Sequence, residues 1–162
     1  MSRLESAIRR LEAQKIALNW AAEQIMGKTG SVLEFGLGNG RTYDHLRKLL
    51  PDRDIYVFER EIAAHPDCIP DVAFQFLGEF SASLPDAVAK LGAGAILAHL
   101  DIGSGRKGDS LDLAQQIAPL VKKLLRPQAI IISDQEIEVW KKNALGLPAG
   151  IEAKRIHLYR LP

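Results

Sequence analysis

Apolar side chains recur at helical spacing along the first 26 residues of the chain. They lie three, four or seven positions apart, at Leu4, Ile8, Leu11, Leu18, Ala22 and Ile25. This spacing places them on one face of an α-helix. Ser2 and Glu5 form the capping box that begins a helix, so we predict a long amphipathic helix over residues 3–26. Its apolar face has three candidate partners: a sheet, a ligand cleft or a second subunit.

Short apolar runs follow this helix, and each has the length of a buried strand. We predict strands at Ser31–Phe35, Asp54–Phe58, Val72–Leu77, Ala95–Leu100 and Ala129–Ser133. Lys154–Leu161 alternates polar and apolar residues, which predicts an edge strand antiparallel to the fifth strand.

Segments with helical character separate these strands. We predict helices at Thr42–Leu50, from about Pro85 to Leu91, from Asp109 or Ser110 to about Leu125, and near Glu136–Asn143. Pro119 should kink or divide the third of these helices. The alternation of strands and helices predicts an α/β fold with a doubly wound, mostly parallel sheet and helices on both faces. At 162 residues we expect residues 1–162 to form a single domain.

Acidic residues stand at the ends of the predicted strands: Glu34, Glu59, Glu79, Asp101 and Asp134. The carboxyl ends of parallel strands share one edge of the sheet, and ligands of open α/β sheets bind outside that edge. We therefore expect these acids to surround a ligand site rather than to be scattered over the surface.

Three glycines follow the first strand at alternate positions, Gly36, Gly38 and Gly40. Glycine allows φ > 0 and leaves no Cβ between the backbone and a ligand. The dinucleotide fingerprint G-x-G-x-x-G requires a third glycine where this chain has Arg41, and no Walker phosphate loop is present. The spacing therefore argues against both of these phosphate-binding motifs.

The run Glu34-x-Gly36-x-Gly38-x-Gly40 resembles the first motif of the class I methyltransferases that use S-adenosylmethionine. In that family the strand-end acid helps to hold the methionyl ammonium, and the glycine loop passes under the methionine and ribose. Glu59 ends the second strand, where a carboxylate has two oxygens for the ribose hydroxyls, and Gly78 to Phe80 occupy the turn that touches adenine. The predicted cofactor residues are Glu34, Phe35, Gly36, Gly38, Asn39, Gly40, Thr42, Glu59, Arg60, Gly78, Glu79, Phe80, Asp101 and Ile102.

Two residues near the end of the fourth strand are candidates for catalysis. The resemblance places Asp101 beside the methionine and the transferring methyl. His99 lies two positions earlier and faces the same side of the strand, so it is a candidate general base, or alternatively a histidine satisfied inside the sheet. Asp101, Asp134 and Gln135 form an alternative Mg²⁺ site resembling that of the catechol-type methyltransferases, although Gln135 replaces their asparagine and their lysine is not at its usual place.

Composition narrows the partners. Apolar residues make up 47% of the chain and charged residues 25%, and the net charge is +1 without a basic stripe, so we expect no nucleic-acid partner. The Asn/Asp-Pro-Pro-Tyr/Phe motif of base-directed methylases is absent. Cys68 is the only cysteine, which favours a cytoplasmic location. No apolar run is long enough to cross a bilayer, so we expect no membrane partner.

The leading interpretation is a methyltransferase that uses S-adenosylmethionine and acts on a small molecule. One alternative is a non-catalytic module that binds S-adenosylmethionine or a partner protein. Another is an NAD-dependent enzyme on a similar sheet, which Arg41 disfavours. The small size and the apolar face of the N-terminal helix lead us to expect a homo-oligomer.

Overall fold

The computed structural model describes residues 1–162 and contains six strands and four α-helices. The strands are β1 (Ser31–Phe35), β2 (Ile55–Glu59), β3 (Gln75–Leu77), β4 (Ala95–Leu100), β5 (Leu125–Ser133) and β6 (His157–Arg160). The α-helices are α1 (Arg3–Gln24), α2 (Arg41–Leu49), α3 (Phe80–Leu91) and α4 (Lys107–Leu124). Short 3₁₀ turns occupy Pro66–Cys68, Val72–Phe74 and Glu138–Asn143.

All six strands form one sheet in the order β3-β2-β1-β4-β5-β6. The first five are parallel, and β6 runs antiparallel to β5. The chain first builds outward from β1 to β2 and β3, then returns to the other side of β1 with β4. The predicted α/β class, the parallel sheet and the antiparallel edge strand are confirmed. The switch point beside β1 is where such sheets bind ligands.

Each face of the sheet carries its own apolar core. On one face, α1 and α2 pack through residues such as Leu18 and Leu46. On the other face, α3 and α4 contribute Leu84 and Val121. Side chains alternate along a strand, so Leu97 belongs to the first core and Ala98 to the second.

Backbone hydrogen bonds continue one residue beyond the carboxyl ends of the central strands. Gly36 N donates to Phe58 O (2.9 Å), and Asp101 N donates to Phe35 O (3.0 Å). Asp134 N donates in the same way to a β4 carbonyl. The first residues after the strands are therefore held as firmly as the strands themselves, which fixes the floor of the site described below.

The edge strand β3 is shorter than predicted. The prediction of a strand over Val72–Leu77 is wrong for its first half, because Val72–Phe74 form a 3₁₀ turn. Val72 is 82% exposed, so no packing holds this apolar residue in a sheet. The helix predicted near Glu136–Asn143 is likewise a 3₁₀ turn over Glu138–Asn143.

Two prolines lie inside helices. α3 begins at Phe80 rather than near Pro85, and α4 continues through Pro119 as one helix. A proline removes one backbone hydrogen bond, but here Ser83, Leu84 and Ala118 are buried around the two prolines. Packing against the sheet therefore keeps both helices continuous. Of the two predicted effects of Pro119, a kink or a division of the helix, the division does not occur.

The C-terminal half of α1 packs against the sheet, and its N-terminal half does not. Its buried residues are Ala13, Gln14, Ala17, Leu18 and Ala21. Leu4 and Ile8, from the predicted apolar face, are 70% and 45% exposed. The small alanines, rather than the larger residues, bring α1 close to the sheet. None of the helices combines the length and apolarity that crossing a bilayer requires.

Candidate active site

A cleft of about 610 Å³ opens at the carboxyl edge of the sheet, beside the switch point between β1 and β4. Nearly all of the predicted cofactor residues line this cleft. Those that do are Gly36, Gly38, Asn39, Thr42, Glu59, Arg60, Gly78, Glu79, Phe80, Asp101 and Ile102. Sequence reasoning therefore found most of its wall from the order of the strands. Glu34, Phe35 and Gly40 lie elsewhere.

Gly36 and Gly38 are required for different physical reasons. Gly36 has φ +86°, and a Cβ there would lie 2.1 Å from the carbonyl oxygen of Asp101. Gly36 thus lets the β1 turn pass close to the end of β4. Gly38 has φ +53°, and a Cβ there would meet no protein atom within 4 Å. The space beside Gly38 is the open cleft, so a side chain there would occupy the volume of a ligand.

Gly40 has a packing role. It is the N-cap of α2 with φ +85°, and a Cβ would lie 2.4 Å from the Cβ of Cys68. The 3₁₀ turn that contains Cys68 therefore sits directly on this glycine. The sequence analysis expected Gly40 in the cleft. The structure instead packs it against the 3₁₀ turn.

Glu59 is held at the centre of the cleft by backbone groups. One carboxylate oxygen accepts from Gly38 N (2.9 Å) and the other from Arg60 N (2.7 Å). Each oxygen retains a lone pair for a further donor. Beside it, Arg60 Nε pairs with Glu79 Oε1 at 2.8 Å, with both side chains well exposed. The arrangement presents a carboxylate of fixed orientation to any ligand that lies over the glycine turn.

Glu34 and Phe35 lie beneath the cleft. Glu34 is 0% exposed; the Thr42 hydroxyl donates to its Oε1, and its Oε2 is 2.7 Å from His99 Nδ1. Phe35 stacks on Phe58 with ring centroids 4.4 Å apart. Because Glu34 has no exposed surface and does not line the cleft, this arrangement does not present the acid directly to a methionyl ammonium. Glu34 instead positions Thr42 and His99.

The helix α1 supplies a wall that the sequence analysis did not assign. Arg10, Leu11 and Gln14 line the cleft. Gln14 is buried and donates from Nε2 to Asp101 Oδ2 at 2.8 Å, and Arg10 approaches the same oxygen at 4.0 Å. The sequence did contain one signal for this contact, a glutamine among the alanines on the buried face of α1. A buried polar side chain needs a hydrogen-bond partner, so Gln14 indicated a polar contact on that face.

Asp134 holds the loop that follows β4. Its carboxylate accepts from Ile102 N (3.3 Å) and Gly103 N (2.8 Å). Burial raises the pKa of Asp134, and Asp101 adds to that rise, although these hydrogen bonds and one from Gln135 oppose it.

The same contacts bear on the alternative Mg²⁺ site of Asp101, Asp134 and Gln135. The nitrogen of the Gln135 amide, not its oxygen, faces Asp134 at 3.2 Å. No cluster of three or more His, Cys, Asp or Glu residues is arranged to hold a metal ion. Asp134 already accepts two backbone hydrogen bonds here, and the alternative Mg²⁺ site stays a prediction from the sequence.

A smaller space of about 240 Å³, which we call the chamber, adjoins the cleft. His99, Asp101, Ile132 and Asp134 form its floor on the sheet. Arg10, Ala13 and Gln14 of α1 cover one side, and Lys154, Arg155 and Ile156 cover another. Arg10, Gln14 and Asp101 line both spaces, so the chamber and the cleft share a border at the end of β4.

Of the titratable groups on the chamber floor, His99 is the most deeply buried, with 2% of its surface exposed. Burial by itself lowers the pKa of His99. The negative charge and the hydrogen bond of Glu34, with smaller effects of Asp101 and Asp134, outweigh burial and leave the pKa raised. The charge of Glu34 therefore makes the buried imidazole a stronger base than burial alone would leave it.

The cleft fits S-adenosylmethionine by shape and by donor set. Gly38 and Gly78 both have positive φ and open space where a Cβ would stand. Glu59 offers acceptor oxygens, and Phe80 offers an apolar ring at the same wall. These features are what an adenosine with a ribose diol and a flat base requires.

The sequence matches, over residues 1–161, a protein family described as S-adenosyl-L-methionine methyltransferase. The chain belongs to this family and is an S-adenosylmethionine-dependent methyltransferase. The structure is similar to a crystal structure of an S-adenosyl-L-methionine methyl transferase from Silicibacter pomeroyi DSS-3. The two are 38% identical, cover 100% of this chain and 99% of that chain, and superpose with a TM-score of 0.92.

Two other solved structures are similar to the chain at much lower identity. A putative caffeoyl-CoA O-methyltransferase from Staphylococcus aureus is 14% identical, covers 83% of this chain and 66% of its own, and has a TM-score of 0.48. The antibiotic-resistance methyltransferase Kmr is also 14% identical, with 86% and 91% covered and a TM-score of 0.48. A comparison with curated proteins finds no match. The family membership removes the two alternatives, a non-catalytic module and an NAD-dependent enzyme.

Proposed function

We propose that the methyltransferase binds S-adenosylmethionine in the cleft and methylates a small molecule held in the chamber. The observation that carries this proposal is the junction of the two spaces. Asp101, with Arg10 and Gln14, borders both of them. A donor in one space and an acceptor in the other would therefore meet at the end of β4.

S-adenosylmethionine supplies an activated methyl group, so the protein needs to position the reactants and exclude water. In this proposal Gly36 and Gly38 give the methionine and ribose close access to the backbone, and Glu59 accepts from the ribose hydroxyls. Glu79 and Phe80 contact the adenine, and Asp101 and Ile102 border the methionine end. α1 borders both spaces through Gln14, whose hydrogen bond to Asp101 fixes that carboxylate at their shared border.

The size and charges of the chamber favour a small polar acceptor. Its volume of about 240 Å³ suits a metabolite rather than a polymer segment. Asp101 and Asp134 face it from the sheet, while Arg10, Lys154 and Arg155 stand at its walls. Both signs of charge are therefore available to an acceptor, and the balance gives no reason to expect a nucleic acid.

Calorimetric titration with S-adenosylhomocysteine tests the cofactor site. We expect Glu59→Ala to lose about 1–3 kcal/mol of binding free energy, because it deletes charge-assisted hydrogen bonds. Glu23→Ala, an exposed acid on α1 far from the cleft, should bind as the parent does. Equal affinity of Glu59→Ala and the parent would reject the ribose role of Glu59.

A turnover assay tests the acceptor class. The parent protein is incubated with S-adenosylmethionine and a panel of small hydroxylated and amino compounds, and formation of S-adenosylhomocysteine is measured. We expect turnover with at least one small compound. Turnover on a protein or nucleic-acid acceptor with none on the panel would contradict the small-molecule assignment while leaving the cofactor site intact.

Three further proposals concern the whole chain. Residues 1–162 act as a single domain, because both helical layers pack on one sheet; coincident unfolding by fluorescence and circular dichroism would support this.

The chain self-associates through the exposed apolar residues of α1, among them Leu4 and Ile8, and light scattering can measure this association. The protein works in the cytoplasm, which fractionation of its host cells tests.

A further inference from the structure

Glu34 and His99 form a buried pair on two neighbouring strands. They are register partners across β1 and β4, and Glu34 Oε2 lies 2.7 Å from His99 Nδ1. The Thr42 hydroxyl occupies the other oxygen of Glu34. The acid of the glycine motif, which lies inside β1, thus holds a buried histidine of β4. Binding of a cofactor does not by itself require that histidine.

The second ring nitrogen of His99 faces the chamber. Nδ1 is engaged by Glu34, and no protein group bonds to Nε2. The buried side-chain polar atoms that lack a partner are Ser83 Oγ and Arg160 Nε, so Nε2 is not sealed inside the core. His99 lines the chamber wall next to Asp101, and the ring's 2% exposed surface falls there.

We propose that His99 Nε2 is the group that takes the proton of the acceptor, and that Glu34 positions the ring by holding Nδ1–H. This inference rests on the proposed function, because it places the acceptor in the chamber. It also defines the acceptor class: a small molecule whose nucleophilic atom keeps its proton at neutral pH, such as a hydroxyl or an ammonium group.

The proposed step balances as follows. The acceptor's O–H or N–H bond breaks, and its proton goes to His99 Nε2. The electron pair of the acceptor forms the new bond to the methyl carbon, and the electron pair of the old sulfur–carbon bond stays on sulfur, which becomes neutral. The resulting imidazolium is stabilised by Glu34 and later releases its proton to water.

Charged groups surround the chamber on every side, and they affect the proton affinity of His99. Glu34, Asp101 and Asp134 favour the protonated ring and outweigh burial, so the pKa is raised. Arg10, Lys154 and Arg155 face the same space from α1 and from the segment before β6. A raised pKa makes the ring a stronger base, and it places the rise of activity at a pH above that of an ordinary histidine.

Nitrogen-15 NMR of histidine-labelled protein, saturated with S-adenosylhomocysteine, tests the orientation without any acceptor. The expected neutral tautomer of His99 carries its proton on Nδ1 and leaves Nε2 bare. His45 is a control in the same spectrum, because its Nε2 lies 2.7 Å from Asn19 Oδ1 and should carry the proton instead. A neutral His99 protonated on Nε2 would overturn the proposal.

The Glu34→Gln variant tests the positioning role. Loss of the negative charge should lower the pKa of His99 in the NMR titration and leave that of His45 unchanged. Calorimetry with S-adenosylhomocysteine on the same variant shows whether the cleft is intact. If the pKa of His99 stays raised in Glu34→Gln, Glu34 does not hold the ring, and that half of the proposal fails.

The kinetic test uses the probe compound that turns over fastest in the hydroxyl and amine panel. His99→Gln should lower kcat at least about 100-fold and remove the rise of kcat with pH, while affinity for S-adenosylhomocysteine stays within about twofold. His45→Gln is the matched control and should keep the parent's pH profile. An unchanged kcat in His99→Gln would overturn the catalytic role of His99. The affinity of Glu59→Ala for S-adenosylhomocysteine tests only the cofactor site, so the two proposals can fail independently.

Discussion

The cleft and the chamber lie at the same edge of the sheet but are built in different ways. The cleft is built around backbone turns, the glycine turn after β1 and the turn at Gly78, and the N–H groups of Gly38 and Arg60 orient the Glu59 side chain beside them. The chamber is formed by side chains from β4, β5, α1 and the segment 154–156.

The difference also explains which spaces tolerate change. A glycine turn with positive φ admits few substitutions, whereas a wall of Arg10, Lys154 and Arg155 can be altered without touching the fold. We infer that the acceptor is decided by elements outside the first motif. The following variants should show most clearly how the cleft and the chamber differ in their response to substitution.

Gly38→Val should have the largest effect, and the effect should fall on the cleft. The side chain would stand in open ligand space beside a residue with φ +53°, so we expect affinity for S-adenosylhomocysteine to fall at least about 100-fold, or about 3 kcal/mol. Calorimetry measures this. Gly38→Ala should be intermediate, and Gly146→Ala, which meets nothing within 4 Å, should bind as the parent does. A folded Gly38→Val with full affinity would contradict the assignment.

Gly36→Ala should act on folding rather than on the ligand alone. Its Cβ would lie 2.1 Å from Asp101 O at φ +86°, and we expect about 2–4 kcal/mol of lost unfolding free energy. Urea denaturation gives the value. Gly108→Ala in α4 has free space and should be neutral or slightly stabilising. A Gly36→Ala protein as stable as the parent would show that the β1 turn and β4 are not so closely packed.

The Glu34–His99 pair, on the floor of the chamber, should make the free energy of unfolding depend on pH. Burial lowers the pKa of His99 but Glu34 raises it by more, so the folded pKa exceeds the unfolded one. The pair then makes its full contribution to the unfolding free energy below about pH 6.5. That contribution is lost as the pH rises through the raised pKa of His99. The difference in unfolding free energy between the parent and His99→Gln should therefore shrink between pH 6 and pH 9. A difference that grows with pH would refute this.

Gln14→Ala should have the smallest effect, at the border of the two spaces. The Gln14 to Asp101 hydrogen bond of 2.8 Å should contribute about 1–2 kcal/mol to the unfolding free energy. Arg9→Ala removes an ion pair to Glu152 that is about half exposed and should cost less than about 0.5 kcal/mol. Equal losses in the two variants would show that α1 is attached to β4 by packing alone.

Sequence reasoning located the strands and the cleft because both follow from local rules. Periodicity marked β1, β2, β4 and β5, and the alternate glycines after β1 marked the turn at the switch point. It was wrong where packing decides: the first half of the predicted third strand is a 3₁₀ turn, and α4 runs through Pro119 without the division that was one of the two predicted outcomes. These outcomes depend on neighbours that lie far away along the chain.

The amino-acid sequence by itself determined the mostly parallel sheet and the glycine turn after β1, because apolar runs and alternate glycines are local features. The resemblance of that turn to the first methyltransferase motif indicated the class of enzyme. Only the tertiary structure decided that Glu34 turns away from the cleft to hold His99, and that Gln14 reaches Asp101 from α1. Such pairs join residues 65 and 87 positions apart, and the free energy that selects them comes from burying polar groups only with partners. No local pattern records which partner is within reach.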